Sequence, residues 1–155
     1  NREDHHCFAC GPANECGLKM RFFTDEAAVF SWVTIPGHHR GWDRLVHGGI
    51  TSTILDEIMS WAAIYLLKKV ILTKKMTVEF LRPIYVGTEL RAEGRVRERT
   101  GPREAVMEGV VYHGEQEVLC ARSEGHYALL DPKVAAKLDM MGPEALEDIR
   151  GILEA

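Results

Sequence analysis

The sequence predicts an α+β protein in which one antiparallel β-sheet packs on one long helix. Three observations carry this expectation. Residues 48–68 hold apolar side chains on more than one helical stripe, as a helix enclosed on most sides would. Residues 70–130 then alternate apolar and polar through four segments separated by turn residues. Two shorter strand-like segments precede the helix, over residues 18–23 and 28–35. A chain of 155 residues is the size of one domain, so 1–155 reads as a single domain with an arm at 1–17 and a helical tail at 131–155.

Each element has its own warrant. The arm is polar and rich in His and Cys, and Gly11, Pro12 and Gly17 punctuate it, which marks irregular backbone. Thr24, Asp25 and Glu26 supply the turn between the first two strands, and Pro36 and Gly37 end the second. The stretch HHRGWDRLV over 38–46 reads as a loop. Within the long helix the apolar positions are Ile54, Leu55, Ile58, Met59, Ala62, Ile64, Tyr65 and Leu66. The four later strands are expected over 70–84, 88–99, 103–113 and 116–130, with a hairpin turn at Gly114–Glu115. Pro132 and Pro143 each suit the first turn of a tail helix, one over 131–141 and one after the break at Gly142–Pro143. Trp32 is expected in the core, Trp61 in the core or a dimer interface, and Met20, Met59 and Met76 as core fillers.

Composition narrows the function. Hydrophobic residues at 46% and charged residues at 27% exclude collagenous, disordered and mucin-like chains. A net charge of -4 argues against a nucleic-acid surface, which calls for a basic stripe. Four cysteines are too few for a disulfide scaffold, so a reducing, cytoplasmic location is expected. No signal peptide is visible, although the first residue is Asn1 and a leader could have been trimmed. The apolar run at 48–67 approaches the roughly 20 residues of a membrane span. Its Asp56 and Glu57 and its cluster of hydroxyls would be costly in lipid, so no membrane association is expected.

Two features carry chemistry. His47-Gly48-Gly49 stands at the mouth of the long helix, where backbone N–H groups lack partners and the dipole is positive. Glycine lets a ligand approach that backbone, so the turn could receive a carbonyl oxygen that becomes negative during reaction. A plain glycine turn would look the same. Asp56 lies in the middle of the helix, where burial would raise its pKa toward the range of a general base. Its neighbour Glu57 points about 100° away and reads as the solvated carboxylate. Asp56 could instead be half-exposed or answer Lys74 or Lys75. Gly48 and Asp56 are separated by about 12 Å of helix at 1.5 Å per residue. One small carbonyl cannot touch both in one chain, so joint action requires at least a dimer with antiparallel helices.

The run GWDRLVHGGITSTILDEIMSWA resembles the helix motif of hotdog-fold acyl-CoA thioesterases. TVEFLRPIYVGTEL resembles the strand that follows it in that family, and CFACGPANECGLKMRFF the opening of one bacterial branch. The resemblance implies the hotdog fold, a sheet wrapped round a helix, with dimers or dimers of dimers and acyl-CoA thioester hydrolysis at the dimer interface. By this resemblance Gly48 matches the glycine whose N–H polarises the thioester carbonyl, and Asp56 matches the general base or nucleophile. Thr73 matches a hydroxyl that holds the water or the carboxylate, and His47 a structural or carbonyl-assisting histidine. Many relatives carry Asn or Gln six residues before the histidine, where this sequence has Gly41; either His39 or Arg40 substitutes, or the role is absent. Gly49, His39 and Trp42 are expected to line the substrate site. Arg82, Arg97, Arg99 and Arg103 are candidates for the phosphates of coenzyme A. The reaction calls for no metal and no organic cofactor.

His5, His6, Cys7, Cys10 and Cys16 include a CxxC pair with histidines, which are zinc-ligand types. A second paired knuckle is missing, so the reading is an arm with free thiols packed over the sheet edge, without a metal. Two further functions share these residues: a non-catalytic acyl-CoA-binding or sensing module, and an enoyl-thioester hydratase or dehydratase.

Overall fold

The computed structural model describes residues 3–114, 116–138 and 141–155. The elements are β1 (Phe23–Thr24), β2 (Val29–Thr34), α1 (Gly48–Leu67), β3 (Val70–Phe80), β4 (Glu89–Gly101), β5 (Glu104–His113), β6 (Val118–Leu130), α2 (Pro132–Lys137) and α3 (Pro143–Glu154). The six strands form one antiparallel sheet in the order β1-β2-β4-β5-β6-β3. The sheet wraps α1, which is the hotdog architecture. By length and composition α1 could cross a membrane. Here the sheet and the arm enclose it, with Ile54, Leu55, Ile58, Met59, Ala62 and Ala63 fully buried.

Close approach of α1 to the sheet is made by missing side chains. Gly94 on β4 pairs with Gly109 on β5. A Cβ at Gly94 would collide with the Ile58 carbonyl of α1, and one at Gly109 with the Met59 side chain. The helix therefore lies in a trough that only glycine can line at Gly94.

Several boundaries differ from the sequence reading, each for a local reason. Residues 18–22 are not a sheet strand. Lys19 has φ 53°, and the Leu18 and Met20 amides donate to Phe8 and Ala9 carbonyls of the arm rather than to a strand. β3 stops at Phe80 instead of 84, because the Leu81 and Arg82 amides both turn to the Cys120 carbonyl before Pro83. β4 runs on to Gly101, and α2 stops at Lys137 instead of 141, although 139 and 140 lie outside the described residues. The expected turn at Gly114–Glu115 also falls partly outside them, since residue 115 is not described. The loop at 38–46 begins with a 3-10 turn, Gly37–His39. Trp32 is not core: Val29, Ser31 and Val33 take the inward positions of β2, and alternation leaves Trp32 47% exposed.

The arm packs against the helix. Ala9 and Cys10 join the main core, and Cys7 Sγ lies 3.9 Å from Glu57 Oε1 on α1.

Candidate active site

α1 and β3 build the site around Asp56. Thr73 sits where the β3–β6 register shifts between Thr73 and Lys75. Such a bulge re-aims the side chain beside it. The Thr73 hydroxyl donates to Asp56 Oδ1 at 2.8 Å. The Tyr127 hydroxyl donates to the same oxygen at 3.0 Å and approaches the Asp56 carbonyl at 3.3 Å. Both side-chain bonds converge on Oδ1, and among the described residues none engages Oδ2. One carboxylate oxygen is thereby fixed, which leaves the other to take a proton or attack carbon. Asp56 forms no pair with Lys74, which is bonded to Glu104.

Sequence reasoning missed Tyr127. Its ring is fully buried. A buried phenol needs a partner, and an inward alternating position on the strand at 118–130 was the signal for it. Burial, and then the Asp56 charge, push the Tyr127 hydroxyl above the usual phenol range, so it stays a donor.

Glu57 is not the solvated carboxylate. It is partly buried, accepts the Trp61 indole N–H at 2.9 Å and faces the arm thiols. Burial pushes its carboxyl up to about 7.

Asp56, Glu57 and Thr73 line a cavity of about 380 Å³ with Ser60, Ile64 and Ile71. Gly48 lines a different cavity of about 290 Å³, with Thr51, Phe80 and Arg82. Within one chain the structure does not bring Gly48 to Asp56. Gly48 is the first residue of α1, capped by His47, whose Nδ1 accepts the Gly49 N–H at 2.9 Å. Among the described residues the Gly48 N–H has no acceptor. It points from a helix N-terminus, where a developing negative charge is stabilised.

The remaining candidates separate. His39 and Gly49 share a third cavity with His47. The His39 Nε2 is buried without a hydrogen-bond partner, and burial lowers the pKa of this imidazole. A Cβ at Gly41 would stand 3.3 Å from the His47 Cα, so glycine there leaves room for the histidine cap. Trp42 is 84% exposed and lines none of these cavities. Arg82 donates to the Leu119 carbonyl at 2.6 Å beside Gly48. Arg97 pairs with Glu124, and Arg99 donates to the carbonyls of the tight turn at Gly101 and Pro102, next to Arg103.

No curated protein matches the chain in sequence. The PaaI protein of Escherichia coli, from the phenylacetic acid degradation operon, matches with a TM-score of 0.66 at 21% identity, over 73% of this chain and 80% of that one. The smu.793 protein of Streptococcus mutans UA159, solved bound to acetyl CoA, matches with a TM-score of 0.66 at 16% identity, over 72% of this chain and 89% of that one. Zebrafish thioesterase superfamily member 2 matches with a TM-score of 0.66 at 18% identity, over 76% and 89%. At these identities the likeness is one of fold. The sequence model of the thioesterase superfamily matches residues 44–120, which run from the loop before the helix cap to β6. The chain belongs to the thioesterase superfamily.

Proposed function

We propose that the protein hydrolyses an acyl-CoA thioester to a carboxylate and free coenzyme A. The observation that carries this reading is the pair of hydroxyls, Thr73 and Tyr127, fixing one oxygen of Asp56 on a cavity wall. The acetyl CoA held by the Streptococcus mutans relative supports the class of substrate.

The site is completed by a second copy. β3 is an edge strand of eleven residues, and its outer edge is open to pairing. Thr73 marks the Asp56 end of β3, and Phe80 packs beside Gly48 near the other end. Antiparallel pairing of β3 with its two-fold copy, centred between Met76 and Thr77, sets Thr73 opposite Phe80 of the partner subunit. Asp56 then meets Gly48 of the partner subunit, as the separation along α1 demands.

In this arrangement Asp56 takes a proton from water as water adds to the thioester carbon, and the Gly48 N–H of the partner subunit holds the oxyanion. Collapse of that intermediate breaks the C–S bond, and the thiolate leaves and is protonated. Direct attack by Asp56 would instead form a mixed anhydride that water then opens. Arg82, beside Gly48, is placed for a coenzyme A phosphate. The steps use groups of the protein and water alone.

The deciding experiment is thiol release from short, medium, long-chain and aromatic acyl-CoAs, with wild type and Asp56→Ala side by side. A fall of about 10²–10⁴-fold in the variant is expected for loss of a general base. No release from any thioester by the folded dimer would favour a binding module. Loss of enoyl absorbance without free thiol would favour a hydratase.

A further inference from the structure

The fold brings together three groups that the proposed hydrolysis does not use. Cys7 and Cys10 come from the arm and Glu57 from the middle of α1, and their ligand atoms all lie within 4.8 Å of one another. Neither cysteine is in a disulfide. Cys10 is buried, and Cys7 and Glu57 are partly buried.

We infer that Cys7, Cys10 and Glu57 form a zinc site that clamps the arm to the central helix, its fourth position facing the cavity that His5 also lines. Two soft thiolates and one carboxylate suit Zn²⁺, and the carboxylate argues against Cu(I). Zinc bonds of about 2.3 Å to sulfur and about 2.0 Å to oxygen place tetrahedral S and O ligands roughly 3.5 Å apart. The observed 3.9 Å from Cys7 Sγ to Glu57 Oε1 is within a few tenths of an ångström of that.

Two further observations support the assignment. The His5 Nδ1 is buried and has no hydrogen-bond partner, and His5 lines the same cavity as Cys7, Cys10 and Glu57. The Trp61 indole N–H donates to Glu57 Oε1, the kind of outer contact that orients a metal-binding carboxylate.

The arm also shows why the chain folds this way there. The Gly11 amide donates to the Cys7 carbonyl at 2.9 Å, and a Cβ at Gly11 would run into the Cys7 backbone. The tight turn brings the two thiols to one side. The helix residue fifty positions later supplies the third ligand. The site does not rest on the thioesterase reading.

The test is zinc content of the full chain, purified under reducing conditions without chelator, followed by exchange into Co²⁺. One zinc per chain and a thiolate-to-cobalt charge-transfer absorption are expected. Cys7→Ser should reduce zinc retention at least roughly tenfold, and Glu57→Gln should weaken it by a similar factor with both thiols kept. Zinc should also raise the thermal midpoint of wild type and leave that of Cys7→Ser unchanged. Folded, reduced wild type that holds no zinc and gives no charge-transfer band with Co²⁺ would overturn the site. So would isolation of a Cys7–Cys10 disulfide under those conditions, or zinc binding unchanged in both variants. Wild-type cobalt spectra keep the outcome decisive if a variant fails to fold.

Discussion

The hydroxyl of Tyr127 donates to Asp56 Oδ1 at 3.0 Å, joining residues seventy-one apart in sequence on two different elements. Tyr127 belongs to β6 and Asp56 to α1, and Thr73 on β3 meets the same oxygen. Three elements therefore agree on the placement of one carboxylate.

Tyr127→Phe removes one of the two bonds that hold Asp56. A net hydrogen bond contributes about 0.5–1.5 kcal/mol, so kcat should fall roughly 3–10-fold. KM should stay the same, because Tyr127 acts through Asp56. A change confined to KM would count against a positioning role.

Gly48→Pro tests the proposed oxyanion donor. Proline is tolerated at the first position of a helix, and His47 already has φ -60° and ψ 135°, as a residue before proline prefers. A Cβ at Gly48 meets only the Phe80 ring, at 3.5 Å. The substitution removes the N–H and leaves the helix. Thioester turnover should drop about 10²–10³-fold with circular dichroism unchanged. Retained turnover would show that another donor holds the oxyanion.

Tyr127 also gives a sign for alkaline stability. Unfolded tyrosine ionises near pH 10, and in the folded chain burial and the Asp56 charge raise that value. The contribution is present in full below about pH 10 and is lost as pH rises through the folded value. Denaturation midpoints between about pH 8 and 11 should fall at the alkaline end, and Tyr127→Phe should flatten that fall. Equal slopes in both proteins would remove the assignment.

Gly94→Ala places a methyl group against the Ile58 carbonyl, a backbone atom that cannot swing aside. Overpacking of this kind costs about 1–3 kcal/mol. The thermal midpoint should drop by roughly 2–4 °C for each of those kcal/mol. An unchanged midpoint would mean that α1 can lift from the trough.

Much of the fold was legible because it is written in neighbours. Period-two alternation marked β2 and β3 through β6, and the broad apolar cover of 48–68 marked the core helix to within one residue. His47, Gly48, Asp56 and Thr73 were singled out by motif and by resemblance, and the structure brings Thr73 to Asp56. The boundaries that moved did so where backbone amides found partners far along the chain, as at Lys19 and at Leu81.

The sequence by itself determined the element types and the extent of the long helix, because periodicity and rise per residue are local quantities. Only the tertiary structure decided which of two adjacent carboxylates faces the hydroxyls and which faces the thiols. Asp56 and Glu57 differ by one step around a helix, and their surroundings are set by a bulge in β3 and by an arm fifty residues away. Tyr127 joined the site for the same reason: strand register, not sequence spacing, brings it to Asp56.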